Sequence, residues 1–589
     1  MISSENRTCQ NCKKDFPIES EDFDFYKKIE VPPPTFCPEC REQRRIAFRN
    51  ERALYKRKCD LCGEEVVSRV SPDKQYKMYC KECWWSDNWD PLGHGRDYDF
   101  SKPFFTQFKD LLLSVPHISL FSSNTVNSDW VNQETDDKNC YLNVGGHYNE
   151  NSGYNTYELH GKNSFDNFWL LSGEFCYEDI YCKHCYKTFF SKNCYDSRDT
   201  YFSFDCRNCS NVIGCVGLRN KQFYIYNKAV TKEEFEDFLK NNPFSSRKAL
   251  SKIQSQSSKV WYSIPHRFST ILKSVNIIGN NITESKNSHN VWDSEKVEDC
   301  KNLYVSAWVR DSYDGSSSGA TELGYEFASG GGVYDAKFLN FCMSKDPLKQ
   351  MHSLHIEYCF NTIECSYCFG CVGLKSKKFC ILNKAYSEDE YHGIVTKIKE
   401  QMMATPYIDS GGRIYKYGEF FPPDISPFGY NETAAIDYYP LSREEAIKNG
   451  FLWSDYESEK KHELSDYQIP DDINDVGDDI LEKTLKCEIS GKPYRVVPME
   501  LQFYRQMGLP IPRRSPLQRH KDRMSKLLPR KVFNRQCECL GKRPGKNGYN
   551  NTVSHQHGEG KCETLFLTSY SPDRPELVYC EECYQQEIS

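Results

Sequence analysis

The sequence of 589 residues lacks long apolar runs, and its mean hydropathy is low, at −0.72. No run of roughly 18 apolar residues occurs, which excludes a transmembrane helix, and the first seven residues contain no apolar core of a secretion signal. The net charge is only −7 and aromatic residues make up 14%, which excludes wholesale disorder. We therefore expect a folded, non-secreted, cytoplasmic protein with no membrane partner.

Cysteine, in contrast, is abundant, with 29 residues. In a cytoplasmic protein these are expected to be reduced thiols or metal ligands rather than disulfides. Two pairs with Cys-x-x-Cys spacing lie close to the N-terminus, and a second set of two pairs follows. Four thiolates satisfy the tetrahedral preference of Zn²⁺ and leave no place for water, so both sites are predicted to be structural zinc sites. The predicted ligands are Cys9, Cys12, Cys37 and Cys40 in the first site, and Cys59, Cys62, Cys80 and Cys83 in the second.

The first quartet lies within a longer motif. The first Cys-x-x-Cys pair forms a predicted knuckle, and the second pair comes directly before a predicted helix over residues 41–54. This order is that of a treble clef. The motif resembles the small zinc-ribbon (treble-clef) domain of many bacterial proteins, and the whole layout resembles large uncharacterised Cys-rich proteins of candidate-phyla bacteria. The resemblance implies zinc binding and no established activity. It rests on Cys9-x-x-Cys12-Lys13-x-x-Phe16, Glu21, Phe25-Tyr26, Pro34 and Cys37-Pro38-Glu39-Cys40-Arg41.

The same motif recurs 478 residues later, with most of its ligands replaced. The four ligand positions become Cys487, Ser490, Ser515 and Gln518, whereas Phe503-Tyr504, Arg519 and Arg523 repeat Phe25-Tyr26, Arg41 and Arg45. The first distal site is therefore expected to be empty of metal. One further zinc site is possible near the C-terminus, where 22 extra residues have been gained. Its candidate ligands are Cys537, Cys539, Cys580 and Cys583, with Cys562, His555 and His557 as competitors for one position.

Between the modules lies a second duplication, in which Gly214-Cys215-Val216-Gly217 returns as Gly370-Cys371-Val372-Gly373. Small residues also recur every twelve positions, often after Asn or Asp. Such short repeats are typical of a parallel β-solenoid. Because a coil of twelve residues would be too narrow for so many aromatic residues, we predict right-handed β-helix rungs of about 24 residues. The alternative is two ordinary β-rich domains with Tyr-rich strands.

These patterns predict a multidomain, mainly β protein with treble-clef modules flanking the solenoid and with helical inserts. The predicted segments are residues 1–95 (N-terminal double zinc-ribbon module), 96–228 (first array), 229–285 (helical insert), 286–402 (second array with a terminal helix), 403–480 (linker) and 481–589 (degenerate C-terminal module). Capping boxes predict helices from Thr231, Ser387 and Ser442. Within the arrays, Cys-x-x-Cys pairs are expected to be buried core, with a metal site or a redox pair as the alternative. These pairs involve Cys182, Cys185, Cys206, Cys209, Cys365, Cys368 and Cys371.

Basic residues cluster in each copy of the module. Residues 41–58 contain eight Lys or Arg against two acids, and residues 513–546 contain twelve against two. A basic helix on a zinc module is a common way to contact a nucleic-acid backbone. The alternative is that these arginines pair with the chain's own acidic middle. The candidate phosphate contacts are Arg41, Arg44, Arg45, Arg49, Arg52, Lys56, Arg57, Arg513, Arg514, Arg519 and Arg523.

Three functions follow from these patterns. The leading one is a non-enzymatic zinc protein that binds nucleic acid or a nucleoprotein through its basic helices. The second is a protein-interaction scaffold that uses the aromatic face of the solenoid. The third is an enzyme, either a polysaccharide-active β-helix or a treble-clef nuclease that uses His555 and His557. Acids recur in the arrays without a catalytic spacing, at Glu178, Asp179, Asp196, Asp314 and Glu326.

Overall fold

The computed structural model describes residues 4–343, 352–456 and 463–588, which belong to two compact units. Unit 1 comprises Met1–Leu120 and Ser269–Tyr456, and unit 2 comprises Phe121–Phe268 and Glu457–Ser589. Each unit combines one terminal cysteine module with one long β-array. The described residues are mainly β and include twelve α-helices. Among these, none has both the length and the apolar character needed to cross a bilayer.

The N-terminal module of unit 1 consists of short hairpins, each followed by a helix. The strands Glu5–Thr8 and Asp15–Ile18 are antiparallel, as are Tyr55–Lys58 and Glu65–Ser68. A short parallel pair joins Met78–Tyr79 to His117–Ile118. The helices of this module are Ser20–Lys28, Pro38–Ile46, Lys81–Trp85 and Phe104–Ser114, with a 3₁₀ turn at Pro91–His94.

The β-array of unit 1, called here the second ladder, runs from residue 271 to 381. Its strands are Ile271–Leu272, Val275–Thr283, Lys286–Glu295, Lys301–Tyr304, Ala307–Arg310, Tyr313–Ser316, Gly319–Met343, Ser353–Glu357, Ser366–Phe369 and Lys378–Ile381, and Lys384–Ala385 closes the edge. The rest of the unit contains the helices Glu388–Ala404, Ala435–Tyr438 and Arg443–Lys448, the hairpin of Tyr407–Ile408 and Ile414–Tyr415, and 3₁₀ turns at Pro423–Ile425 and Tyr430–Glu432.

Unit 2 begins with the first ladder, residues 122–225. Its strands are Ser122–Ser123, Glu134–Thr135, Thr156–Leu159, Phe168–Leu171, Ile180–Lys183, Tyr186–Phe189, Arg198–Tyr201, Ser210–Ile213 and Gln222–Ile225, with Lys228–Ala229 at the edge. Helices Lys232–Asn241 and Arg247–Ser263 and strand His266–Arg267 follow. The C-terminal module contains helices Pro498–Met507, Pro516–Ser525 and Glu581–Ile588, strands Leu485–Lys486, Pro493–Tyr494, Phe533–Gln536, Leu565–Thr568 and Val578–Tyr579, and 3₁₀ turns at Ile473–Asp475, Asp478–Glu482 and Lys546–Gly548.

Most neighbouring strands of both ladders are parallel and pair with a twelve-residue offset, although the second ladder starts with an offset of eleven and has one of twenty between Val333 and Ser353. Phe168 pairs with Ile180 in the first ladder, and Lys301 pairs with Tyr313 in the second. The predicted rung of 24 residues is therefore wrong, because most segments pair with the segment only twelve positions further on. The second ladder also begins near residue 271, within the segment expected to be a helical insert.

A three-residue pattern explains how so short a repeat is possible. Every third residue has a positive φ, as at Asn139, Leu142 and Asn151, and such left-handed corners change the chain direction. The residue after each corner is buried and mostly small, as at Cys140 and Ser152. The buried positions after the corners hold mostly Cys, Ser, Asn and Gly, with larger side chains such as Leu170 and Phe327 at some of them. The sequence period of twelve was recognised, but this shorter period was not.

Many of the large aromatic rings that seemed to forbid a twelve-residue repeat lie on the outer face of the ladders, where the terminal modules cover them. In unit 2, Phe165 packs against Phe503 with ring centroids 4.5 Å apart, and Tyr177 lies 5.7 Å from Tyr504. In unit 1, the equivalent pair Phe25-Tyr26 packs against the ladder residues Tyr313 and Tyr325, at 3.8 and 5.4 Å. The duplicated Phe-Tyr pair thus covers consecutive rungs in both units.

The capping boxes at Thr231, Ser387 and Ser442 are confirmed, since each hydroxyl accepts a hydrogen bond from the backbone N–H three residues later. The helix expected over residues 41–54 is instead Pro38–Ile46, which starts at the proline and is shorter.

Part of the segment expected to be a linker, 403–480, is packed, whereas residues 463–472 are exposed or half-buried. Phe420, Phe421, Phe428 and Tyr430 are buried there. Residues 457–462 of that segment lie outside the described residues.

The narrow ladder interior leads to a stability prediction. Ser164 is buried, and its hydroxyl accepts a hydrogen bond from the Cys176 amide. Ser164→Leu should lower the free energy of unfolding by at least about 2 kcal/mol, through overpacking and the lost hydrogen bond. Lys162→Leu, two positions away and exposed, should change it by less than about 0.5 kcal/mol. Urea unfolding of both variants measures this difference, and equal midpoints would contradict the narrow interior.

Candidate metal centres

The first cysteine quartet meets between a hairpin turn and a helix start. Cys9 and Cys12 lie on the turn between Glu5–Thr8 and Asp15–Ile18. Cys37 is the N-cap of the Pro38–Ile46 helix, and Cys40 lies in the first turn. The four sulfurs lie within 4.8 Å of one another, with Cys12 and Cys37 only 3.7 Å apart.

The second quartet repeats this arrangement. Cys59 and Cys62 lie on the turn after Tyr55–Lys58, Cys80 caps the Lys81–Trp85 helix, and Cys83 lies within that helix. The Cys62 and Cys80 sulfurs are 3.9 Å apart, and the Cys80 amide donates to the Cys59 sulfur at 3.3 Å. Burial opposes ionisation of Cys59, but the amides of Cys62, Cys80 and Leu61 lower its pKa to about 7.

Both quartets fit a tetrahedral divalent ion. Four sulfurs about 2.3 Å from a central ion would be separated by about 3.8 Å, close to the 3.7 and 3.9 Å observed. The backbone N–H groups directed at sulfur stabilise thiolate, the form that binds metal. With four protein ligands around one ion, no position remains for a reacting water.

The distal copy of the first quartet has become a hydrogen-bonded structure. Ser515 caps the Pro516–Ser525 helix by accepting from the Gln518 amide at 3.3 Å. The Gln518 side chain donates to Asp522 at 2.9 Å, and the Ser490 amide donates to the Cys487 sulfur at 3.5 Å. Within the described ranges, these four positions are not among the groups that could hold a metal ion.

The C-terminal end brings together seven metal-ligating side chains rather than four. One group is Cys537, Cys562, Cys580 and Cys583; the other is Cys539, His555, His557 and Cys583. Cys562, and not Cys539, therefore completes the predicted set of Cys537, Cys580 and Cys583. The contact with Cys583, and the amides of Cys580 and Cys539, lower the pKa of Cys537 to about 6 although burial opposes this.

The arginines that extend from the first quartet do not face solvent. Arg41 is buried and forms a forked contact with Asp314, at 2.9 Å for the closest atom pair. Arg44 lies 2.6 Å from Glu326 and also contacts Glu419. Arg45 lies between Asp314 and Glu326, at 3.8 and 3.6 Å. The prediction that these side chains contact phosphates is wrong for this fold, because the ladder's own carboxylates pair with them. Buried Arg49 likewise pairs with Glu51, at 2.8 Å.

The distal copy repeats this interaction almost residue for residue. Arg519 contacts Asp166 and Glu500, each at 2.9 Å. Arg523 contacts Asp166 and Glu178, also at 2.9 Å. Both arginines are buried. They too are unavailable to a phosphate, and the open alternative of pairing with the chain's own acids describes them correctly.

The other five predicted contacts are closer to the surface. Lys56, whose side chain is 61% exposed, pairs with Glu65. Arg52 pairs with Glu51, and Arg57 with Asp60. Arg513 donates to the Ile469 carbonyl, and Arg514 pairs with Glu488 and Asp522.

Three of the carboxylate partners, Glu178, Asp314 and Glu326, were noted in the sequence as recurring acids, but Asp166 and the pairing of all four with arginines were missed. Asp166 and Glu178 precede Asp314 and Glu326 by 148 positions, whereas the Gly-Cys-Val-Gly motifs differ by 156. An eight-residue shift between the two halves of the duplication hid the equivalence. With that shift taken into account, the two ladders match. Each contains two aromatic–acid pairs that are twelve residues apart: Phe165-Asp166 and Tyr177-Glu178 in the first ladder, and Tyr313-Asp314 and Tyr325-Glu326 in the second.

The cysteines of the ladders are buried, as expected for interior residues. Cys182, Cys194 and Cys206, twelve positions apart, are fully buried. Burial raises the pKa of the Cys182 and Cys206 thiols. None of the 29 cysteines, all of which fall in the described ranges, forms a disulfide.

No protein-family model matches the chain, and no curated protein matches it. The likeness of the N-terminal module to zinc ribbons therefore rests on its motif and on the sulfur geometry described above.

The buried arginine pairs predict an asymmetric effect of substitution. Arg523→Met should reduce the stability of the protein by about 3–5 kcal/mol, because Glu178 would lose its buried partner and Asp166 would keep only Arg519. Arg514→Met removes a half-exposed pair and should cost less than about 1 kcal/mol. Urea unfolding compares the two, and the interpretation fails if both variants unfold at the same concentration.

The number of metal ions bound per chain should depend on the intact first quartet and not on its degenerate distal copy. Cys12→Ser should reduce bound metal by one ion per chain, because it removes one of four ligands. Cys487→Ser, at a position in the distal copy equivalent to Cys9, should leave the metal content unchanged. Elemental analysis of the purified full chain measures both, and an unchanged value for Cys12→Ser would refute the first site.

Proposed function

We propose that this chain is a non-enzymatic structural-zinc protein that acts as a protein-interaction scaffold. Zinc is the ion that best suits closed shells of thiolate and imidazole ligands. The absence of disulfides in the described ranges supports work in a reducing compartment such as the cytoplasm. In this proposal the metal holds the shape of each module, and the modules hold the ladders.

We also propose that both ladders wind as β-solenoids with one twelve-residue coil per rung. The parallel register of twelve and the left-handed corner at every third residue support this. A solenoid presents the same outward position on successive rungs about 4.8 Å apart, which makes a repetitive, rigid surface.

The observation that carries the proposed function is the internal use of the basic helices. Arg41, Arg44, Arg45, Arg519 and Arg523 are buried against carboxylates. Their role is to attach a module to a ladder within the same unit. The parts of each ladder that the modules leave uncovered, with their asparagine and aromatic side chains, are then surfaces for a partner.

One such surface in unit 2 is a groove with a volume of about 490 Å³. Its floor is a row of asparagines joined by side-chain amide hydrogen bonds of 3.2, 2.9 and 3.3 Å, from Asn127 through Asn139 and Asn151 to Asn163. Trp130, Tyr141, Met499 and Gln502 line it. Aromatic rings and methionine beside adaptable amides are the mixture that protein interfaces favour. We therefore propose a protein partner for this groove.

A capture experiment tests this proposal. The full chain should retain a partner protein after nuclease treatment, and Trp130→Ala with Gln502→Arg should weaken binding of that purified partner at least about ten-fold. Tyr186→Ser, an exposed aromatic outside the groove, serves as the control and should bind normally. Binding that is unaffected by the groove variants, or lost with nuclease, would argue against the proposal.

Nucleic-acid binding is the second candidate, favoured by the exposed Lys56 and the half-exposed Arg514. It predicts affinity for single-stranded RNA or DNA that falls steeply with salt. The scaffold proposal predicts no such binding between 50 and 200 mM salt, a range over which about six phosphate contacts would change affinity by roughly a thousand-fold. Fluorescence anisotropy of the wild type and Lys56→Glu decides between the two.

A further inference from the structure

The C-terminal module carries seven buried or half-buried ligands arranged as two overlapping quartets, and both quartets include Cys583. In each quartet the ligand atoms lie within 4.8 Å of one another. One zinc ion takes four such ligands. A single ion in the first quartet would leave Cys539, His555 and His557 clustered with nothing to bind.

We propose that this module holds two zinc ions that share the Cys583 thiolate. The first ion takes Cys537, Cys562 and Cys580, and the second takes Cys539, His555 and His557. Cys583 completes both tetrahedra from the first turn of the Glu581–Ile588 helix. With two Zn–S bonds of about 2.3 Å, the ions must lie less than about 4.6 Å apart.

The sequence explains where the second ion comes from. Cys537 follows its N-terminal counterpart Cys59 by 478 positions, whereas Cys562 follows Cys62 by 500. The 22 extra residues therefore lie inside the knuckle, between its first and second cysteines. These residues supply Cys539, His555 and His557. The insertion lies between Cys537 and Cys562, two ligands of the first ion, and brings three further ligands. The second ion therefore needs only one more ligand, which is the shared Cys583 sulfur.

The contacts around the second quartet are those expected of metal ligands. The Cys539 sulfur lies 3.1 Å from His555 Nδ1 and 3.2 Å from His557 Nε2. His555 Nε2 lies 2.8 Å from Glu587 Oε1, and both side chains are fully buried. Donation from Nε2–H to that carboxylate leaves the lone pair of Nδ1 directed at the metal position, as in carboxylate–histidine–zinc triads.

Glu587 is itself held in place by other donors. It accepts hydrogen bonds from the Tyr549 hydroxyl at 2.6 Å and from the Thr552 amide at 3.0 Å. Asn551 Nδ2 donates to the Cys539 sulfur at 3.1 Å. Sharing one thiolate also limits the buried charge, because five thiolates and two divalent ions sum to −1. Two separate four-thiolate sites would carry −2 each.

Metal stoichiometry of the full chain provides the first test. Native mass spectrometry of the zinc-loaded protein should count four ions, two in the N-terminal module and two in the C-terminal module. His557→Ala should remove one ion, Cys583→Ser should remove two, and the control Cys487→Ser should remove none. A wild type that binds only three ions overturns the proposal. So does a Cys583→Ser variant that loses no more ions than His557→Ala or Cys562→Ser.

A spectroscopic test can be decided on the wild type alone. With zinc replaced by spin-½ cadmium, two of the four cadmium NMR signals should split each other through the shared sulfur. His557→Ala should abolish the splitting and leave the two N-terminal signals in place. Four unsplit signals, or only three signals from a fully loaded wild type, would show that Cys583 binds a single ion.

Discussion

The structure depends on a buried interaction between arginines and ladder carboxylates. Each ladder presents two acids twelve residues apart on its covered face, Asp314 and Glu326 in one and Asp166 and Glu178 in the other. Burial raises the pKa of Glu326 to about 7 although Arg44 and Arg45 oppose this. Carboxylates in such positions are costly without cations beside them. The arginines of helices Pro38–Ile46 and Pro516–Ser525 supply these cations. Because each helix belongs to a terminal module, the pairing also orients that module on its ladder.

This interaction explains why the distal copy survived the loss of three metal ligands. Cys487 alone remains of the first quartet there, yet Phe503-Tyr504, Arg519 and Arg523 keep the contacts that their N-terminal counterparts make. Ser515 caps the helix there by a hydrogen bond, and the Gln518 side chain donates to Asp522 within the helix. In both units the motif thus attaches the terminal module to the ladder. Its turn is stabilised by thiolates in the N-terminal copy and by hydrogen bonds in the distal copy.

Much of the local structure could be predicted from the sequence. Cysteine spacing identified the first two quartets, and serine or threonine three residues before glutamate identified three helix starts, because both signals act over a few residues. The twelve-residue period was also visible. Its geometry was not, since positive φ at residues such as Leu142 or Tyr148 has no side-chain signature. Pairing of the arginines with the chain's own acids was only an alternative, because the sequence does not show that Arg41 lies beside an acid 273 residues away. Cys562 could be named only as one of several candidates for the fourth position, because an insertion separates it from Cys537.

Twelve-residue pairing makes the ladders local structures, in which each rung needs only its neighbour to form, and local contacts form quickly. The attachment of the modules is not local. In unit 2 the ladder is synthesised first, and the helix that covers it follows some 300 residues later. During that interval Phe165 and Tyr177 stand on a formed array without Phe503 and Tyr504. Exposed aromatic residues on a nascent chain promote association with neighbouring chains on the polysome. The delay in translation between the ladder and its covering helix therefore raises the risk of aggregation.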